Sequence, residues 1–214
     1  MENTAQRQQD QAVSLLSQQG MARLSEFIKN GITATTVSRM EQKGVIVQLG
    51  RGLYQLAGAP LDAHHSLAEA AKLVPRGVIC LGSALAFHEL SDRIPGRIWV
   101  AIGARDWRPN ITHPPIEVVR FGPDALEAGV ETHIIERVPV RIYSPAKTII
   151  DLFRHASRRQ GRGGAKTGST EALRAMKEAL RMRKVTPAEL ARYAHQAGVW
   201  KTVQPYLEAL TLDA

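Results

Sequence analysis

The feature that most constrains the fold is a glycine-rich turn that follows three short helical segments in the first 56 residues. The turn, Gly50-Arg51-Gly52, separates two β-prone runs, 45–49 and 53–56, which is the pattern of a β-hairpin. Three helices followed by a hairpin are the order of a winged helix-turn-helix, which the sequence therefore predicts for residues 1–58. Apolar residues at helical spacing predict the three helices, over 6–19, 22–30 and 34–43.

The third predicted helix carries the side chains of a DNA-reading helix. Thr33 is a suitable N-cap, and Ala34, Val37 and Met40 recur every three residues, so they are predicted to face inward. The outward face then holds hydroxyl, amide and cationic groups that bind base edges or phosphates. Arg51, at the tip of the predicted wing, is placed to reach a phosphate or the minor groove. The predicted DNA-binding residues are Thr33, Thr35, Thr36, Ser38, Arg39, Gln42, Lys43 and Arg51.

The net charge of +8 is unevenly distributed along the chain. Residues 1–60 hold 6 basic and 4 acidic side chains (+2), and residues 61–143 hold 9 and 10 (−1). Residues 144–214 hold 13 and 6 (+7), so the excess lies in the last third. A basic surface attracts phosphates or other anions. The prediction of DNA binding by residues 1–58 rests on side-chain types and helix order, because their own net charge is modest.

The amino-acid composition indicates a folded globular protein. Apolar residues make up 44% and charged residues 22%, which are values of folded globular proteins. No stretch of about 18 apolar residues is present, and the polar start MENTAQRQQD is unlike a secretory signal. A single cysteine, Cys80, excludes a disulfide framework and a cysteine-rich zinc site. We therefore expect a cytoplasmic protein with no membrane partner.

The rest of the chain predicts a mixed domain and a helical end. Residues 59–143 combine short helices with β-prone runs, which indicates a mixed α/β part with mostly antiparallel strands. Residues 144–214 predict helices that begin at Ser144-Pro145 and at the capping box Thr186 to Glu189. The predicted fold class is α+β: an N-terminal winged helix-turn-helix, a mixed α/β domain and a helical C-terminal part. The predicted domains are 1–58, 59–143 and 144–214.

Residues 157–169 are predicted to form a glycine-rich, basic loop. A phosphate-binding P-loop would need glycines at two positions that are Gln160 and Ala165, so that interpretation fails. The loop is either solvated or a contact for nucleic acid or an acidic partner. The cations predicted to contact a toxin or phosphate, in this loop and around it, are Arg154, Arg158, Arg159, Arg162, Lys166, Arg181, Arg183 and Lys184.

Several residue groups resemble catalytic or binding sites. Ser83, His88 and Asp92 are the residue types of a nucleophilic triad, but they share one short segment without a nucleophile elbow. We expect His64-His65 to be surface histidines in a linker. The cluster from Arg105 to Pro109 either touches a partner or packs Trp107 on arginine stems. The sequence therefore predicts no enzyme activity, no cofactor and no metal site.

The order of these segments resembles the AbiEi-type antitoxins. The resemblance is carried by GRGLYQL in the wing, PRGVICLGSALAFHELSDRIP, WVAIGARDWRP, YSPAKTIIDLFRH, EALRAM and PYLEAL. The segments from Cys80 to Pro95 and from Tyr143 to Asp151 are its most specific parts. Members of that family are partners of nucleotidyltransferase toxins in abortive-infection and related toxin–antitoxin pairs. The family pattern is shorter at 157–169, so the basic loop looks like a local insertion.

The resemblance implies an antitoxin with two activities. Its winged helix would bind inverted operator repeats and repress its own operon, with Thr33 to Lys43 as recognition helix and Gly50 to Tyr54 as wing. The remaining part would neutralise a nucleotidyltransferase toxin, and a homodimer on the DNA would suit the repeats. The alternative is an interaction module that docks an acidic partner through its basic C-terminal helices, without specific DNA binding.

Overall fold

The structure is a computed structural model that describes residues 2–160 and 167–212, with side chains for 4–157 and 169–212. Two compact units divide the chain: unit 1 comprises Met1–Gly77, Arg108–Ile116 and Thr132–Val140, and unit 2 comprises Val78–Trp107, Glu117–Glu131 and Arg141–Ala214. The elements in chain order are α1 Glu2–Gln19, β1 Met21–Arg23, α2 Leu24–Lys29, α3 Ala34–Gln42, β2 Ile46–Gly50, β3 Leu53–Leu56, α4 His65–Leu73, β4 Val78–Ile79, α5 Leu81–Phe87, β5 Ile98–Gly103, β6 Ile116–Phe121, α6 Pro123–Glu127, β7 Val130–Ile135, β8 Val138–Tyr143, α7 Pro145–Gln160, α8 Thr167–Arg181, α9 Pro187–Ala197 and α10 Trp200–Leu212.

The first part of unit 1 has the helix and strand order of a winged helix-turn-helix. Helices α1, α2 and α3 pack with an antiparallel sheet of strand order β1-β3-β2. Their shared core is fully buried and apolar, with Leu16, Phe27, Val37 and Met40 at its centre. The Phe27 ring meets Tyr54 edge-on at a centroid distance of 6.0 Å, which joins α2 to β3. This core fixes α3 against the wing strands.

The prediction of one helix over residues 22–30 is wrong at its start. Met21–Arg23 form a strand in which Met21 pairs with Gln55 and Arg23 pairs with Leu53. Gly20, with a φ of +71°, ends α1 and turns the chain into this strand. Because the strand is stabilised by β3, a partner about 30 residues away in the sequence, local periodicity does not predict it.

The tip of the β7–β8 hairpin also belongs to unit 1. Glu136, at the turn, accepts hydrogen bonds from the Asp62 amide at 2.6 Å and from Gln55 Nε2 at 3.1 Å. Its carboxylate also lies 2.9 Å from Nδ1 of His65, whose Nε2 is 3.5 Å from Glu69. The prediction that His65 is a surface linker residue is therefore wrong, because two carboxylates hold it at the start of α4. Burial raises the pKa of the Glu69 carboxyl.

Unit 2 is built on helices that pack around α7. A five-stranded sheet has the order β6-β5-β4-β8-β7, in which β4 is antiparallel to β5 and parallel to β8. Helix α7 buries Ile149, Ile150 and Phe153 against α5, α8, α9 and α10. The predicted fold class is confirmed, since helices and a mixed sheet precede a helical C-terminal part. In the described residues, no helix combines the length and apolar character needed to cross a membrane.

Some local predictions differ from the structure. The predicted strand over 78–81 is only Val78–Ile79, because Leu81 already begins α5. Helix α6 was not predicted. The flanks of the predicted basic loop are helical, since α7 extends to Gln160 and α8 begins at Thr167. The centre of that loop, 161–166, lies outside the described residues. The predicted domain boundaries at 58/59 and 143/144 stay predictions.

Candidate nucleic-acid interface

Helix α3 is held in place by its N-cap and by a glutamine of α1. The Thr36 amide donates to Thr33 Oγ1 at 3.2 Å, which is the hydrogen bond of an N-cap. Gln8 of α1 accepts from Thr36 Oγ1 at 2.6 Å and donates to the Gly31 carbonyl at 3.1 Å. These bonds fix both the start of α3 and the turn before it, which a recognition helix requires.

The exposed face of α3 carries most of the side chains predicted to read DNA. Thr35, Ser38, Arg39, Gln42 and Lys43 are all exposed, whereas Val37 and Met40 face the core. Thr33 is exposed as well, but its hydroxyl is engaged as the cap. A groove of about 540 Å³ runs beside this face. Its lining adds Gln6 and Gln9 of α1, which sequence reasoning missed although glutamine recurs in that helix.

Two predicted orientations on α3 are wrong. Thr36 is only 8% exposed and points toward Gln8, so it supports the helix and does not present its hydroxyl to solvent. Ala34, predicted to face inward, is exposed. The predicted three-residue spacing included Ala34, but the helix rotates by about 100° per residue, which brings Thr36 and Val37 onto the buried side.

The wing has the predicted form. Strands β2 and β3 are joined by Arg51-Gly52, where Gly52 has a φ of +69°, and the register shifts between Gln48 and Gly50. Arg51 is exposed at this turn. Tyr54, the last residue of the predicted wing, faces the core, where burial and the nearby Glu41 raise the pKa of its phenol. The wing therefore presents its arginine outward from an anchored strand.

The cations predicted to contact a toxin or phosphate differ in how they are engaged. Arg181 Nε donates to Glu178 at 2.9 Å, and Lys184 Nζ donates to the His88 carbonyl at 2.6 Å and lies 3.3 Å from Glu89. Arg183 is exposed just after α8, and Arg154 is half-buried on α7. The remaining candidates fall outside the described side chains: Arg158, Arg159, Arg162 and Lys166.

Two of the three residues that resemble a catalytic triad, Ser83 and His88, are engaged by the main chain, and the third, Asp92, is exposed. Ser83 Oγ accepts from the Trp99 amide at 2.9 Å, and His88 Nε2 lies 2.7 Å from the Tyr143 carbonyl oxygen. Both contacts fasten α5 to neighbouring strands. These positions are thus explained by the packing of unit 2. Cys80 is fully buried in the same core, and this burial raises the pKa of its thiol well above the ordinary value.

Sequence reasoning missed a buried ion pair in unit 2. Lys147 and Asp151 lie four residues apart on α7, are 4% and 2% exposed, and are joined by a hydrogen bond from Nζ to Oδ2. The ammonium of Lys147 also lies over the rings of Tyr143 and Phe121, at 4.4 Å and 4.8 Å from their centroids. Burial raises the pKa of the Asp151 carboxyl and lowers that of Lys147. The spacing of four residues between Lys147 and Asp151 can be seen in the sequence, but the burial of the two side chains cannot.

Comparison with known proteins gives a family match in the N-terminal segment. Residues 10–57 match the model of a family described as transcriptional regulator, AbiEi antitoxin. The predicted resemblance to AbiEi-type antitoxins is confirmed over this segment, which spans α3 and the wing. No curated protein matches the chain.

Among solved structures, the chain is similar to the crystal structure of the RV2827C protein from Mycobacterium tuberculosis. The two share 14% sequence identity with a TM-score of 0.61, over 95% of this chain and 77% of that chain. At this identity the similarity shows the fold alone. It covers both units, including the part that the family match leaves out.

Proposed function

We propose that this chain, whose residues 10–57 match AbiEi antitoxin transcriptional regulators, is a cytoplasmic DNA-binding repressor of its own operon and an antitoxin. The observation that carries the first activity is the exposed face of α3, capped, anchored and followed by an arginine-tipped wing. The family match over the same elements supports the assignment of this face to DNA.

In this proposal α3 enters the major groove of an inverted operator repeat. Arg39 is the side chain best suited to a guanine, because its guanidinium donates two hydrogen bonds to O6 and N7. Thr35, Ser38, Gln42 and Lys43 supply further base or phosphate contacts, and Arg51 contacts the backbone or minor groove beside them. A homodimer would place two copies of α3 on the two halves of the repeat.

The second activity, neutralisation of a nucleotidyltransferase toxin, is assigned to unit 2. It is supported by the net charge of +7 in residues 144–214, which lies apart in sequence from the DNA-reading helix. Four of the cations predicted to contact a toxin or phosphate have described side chains. Of these four side chains, those of Arg154 and Arg183 form no hydrogen bond within the described part of the chain. A basic surface of this kind would attract an acidic partner.

The test of DNA binding is a titration of the full chain with labelled duplexes. The duplexes carry either the inverted repeat upstream of its gene or random sequence, and the variants are Arg39→Ala and, as a charge-matched control, Arg97→Ala. Arg97 is exposed in unit 2 and lies 3.8 Å from Glu117, so its removal changes net charge but no proposed contact. We expect Arg39→Ala to weaken operator binding by about 1–3 kcal/mol and to leave binding of random DNA little changed.

The same variants separate the two activities. Coexpressed with the toxin encoded beside it, Arg39→Ala should still protect cells, because its unit 2 is unaltered. Equal affinity of the wild type for operator and random duplex, with full protection from the toxin, would favour the alternative of an interaction module without specific DNA binding.

A further inference from the structure

A cleft of about 430 Å³ opens beside the wing, within unit 1. It is lined by Leu73 of α4 and by three longer segments: Arg23–Ser25 at the junction of β1 and α2, Arg51-Gly52 at the wing, and residues 110–113 between β5 and β6. The third segment lies far along the chain from the winged helix. We call this space the wing cleft.

Backbone contacts bring the three longer segments together. The Leu24 amide donates to the Gly52 carbonyl at 2.8 Å, and Arg23 pairs with Leu53 in the sheet. A Cβ placed on Gly50 would lie 3.2 Å from the His113 carbonyl oxygen, so residues 110–113 approach the wing where it has no side chain. The wing cleft is therefore built by close packing of backbone.

The groups that line the wing cleft suit an anion. Arg23 and Arg51 contribute guanidinium groups, and the lining includes no acidic side chain. Glu26, just after the first segment, accepts a hydrogen bond from the Arg23 amide at 2.6 Å and pairs with Lys72 at 3.1 Å. The Nε of Arg23 is buried without a hydrogen-bond partner in the part of the chain that the structure describes. Asn110, Thr112 and His113 are exposed beside these arginines and can add hydrogen bonds.

We propose that the wing cleft receives a phosphate of the DNA backbone, so that residues 110–113 form a second DNA-contacting segment outside the winged helix. This inference rests on the proposed DNA-binding function and extends it. Arg51 and Arg23 supply positive charge, while Asn110 and Thr112 of the third segment donate hydrogen bonds. Such a contact positions the protein on the duplex without reading sequence, since phosphates are the same at every base pair.

The test places a negative charge in the wing cleft of the full chain. Asn110→Asp and, independently, Thr112→Asp are compared with Gln11→Glu, which makes the same kind of charge change at an exposed position of α1. Binding to operator and to random duplex is measured over a range of salt concentrations, and thermal unfolding without DNA checks the fold of each variant. All three positions are exposed, so the substitutions should leave Tm unchanged.

We expect each aspartate variant to bind both duplexes about tenfold more weakly than Gln11→Glu does. The slope of log affinity against log salt concentration should fall in magnitude by about 0.9 for the lost phosphate contact. Affinities and slopes equal to those of Gln11→Glu would overturn the inference. If the wild type binds the operator and Arg39→Ala weakens it, that result would leave the proposed function standing; a wild type that binds no DNA would overturn both.

Discussion

At the scale of single residues, the pair of Lys147 and Asp151 shows why a buried charge is retained. Both side chains lie in the apolar core of unit 2, where an isolated ion would be strongly destabilised. The Lys147 ammonium donates a hydrogen bond to one carboxylate oxygen of Asp151 and lies over two aromatic rings. The other oxygen, Asp151 Oδ1, has no hydrogen-bond partner within the described residues. Each charge therefore depends on the other.

Removal of one partner should be much more costly than removal of both. We predict that Lys147→Met lowers the free energy of unfolding by about 3–5 kcal/mol, because it leaves the Asp151 carboxylate buried and uncompensated. Lys147→Met combined with Asp151→Asn should recover most of that loss. Urea denaturation of the single and double variants measures the difference.

The exposed pair of Arg181 and Glu178 provides the control. Arg181 is 69% exposed, so Arg181→Met should change stability far less than Lys147→Met does, since water screens the charge that remains. A Lys147→Met variant as stable as Arg181→Met would show that the buried pair contributes nothing specific.

At the scale of elements, the junction of α1 and β1 depends on one glycine. Gly20 has a φ of +71°, and a Cβ there would lie 1.8 Å from the Glu136 carbonyl oxygen at the tip of the β7–β8 hairpin. Gly31, between α2 and α3, has a similar φ of +76°, but nothing lies within 4 Å of its Cβ position. A side chain at Gly31 would therefore meet only backbone strain, whereas a side chain at Gly20 would meet both strain and steric overlap.

We predict that Gly20→Ala lowers the free energy of unfolding by about 3 kcal/mol or more, because the hairpin tip or the start of β1 must move. Gly31→Ala should cost only about 1 kcal/mol, the strain of a left-handed conformation for alanine. Thermal or urea unfolding of both variants measures the two costs. Equal losses would mean that the close approach of Glu136 to Gly20 is not maintained in solution.

The elements that sequence predicted well are those fixed by neighbouring residues. The start of α3 follows from the Thr33 cap, the wing from its glycines, and α9 from the Thr186 capping box, all of which act over three or four residues. β1 was missed because its stability comes from pairing with β3, which local periodicity does not show.

The same distinction holds for the candidate site. Exposure of Arg39 and Lys43 followed from helical periodicity, but the inward turn of Thr36 depends on Gln8 of α1. The contact of His65 with Glu136 joins residues 71 positions apart, and the wing cleft also combines segments that are distant in sequence. Contacts between residues far apart in the sequence cannot be predicted from the spacing of residue types along one chain.

At the scale of the whole molecule, the boundaries of the compact units differ from the boundaries along the sequence at which the net charge changes. Residues 59–77, 108–116 and 132–140 group with the winged helix in unit 1, although their sequence lies within the predicted middle domain. The positive charge is concentrated after residue 143, in unit 2. Truncation at residue 58 would therefore cut through unit 1, so the two activities are best separated by substitutions in the full chain.

We predict that the positive charges of unit 2 act on the toxin and not on DNA. Arg154→Gln with Arg183→Asn removes two cations; asparagine suits position 183 because Arg183 has a φ of +55°, which asparagine adopts more readily than most residues. This double variant should keep the wild-type slope of log DNA affinity against log salt concentration, yet protect cells less well from the coexpressed toxin. Arg51→Ala should do the reverse, lowering the slope by about 0.9 with full protection, since each lost phosphate contact releases about one counterion fewer. A slope reduced by nearly two units in the double variant, with protection intact, would instead place the basic helices of unit 2 on the DNA.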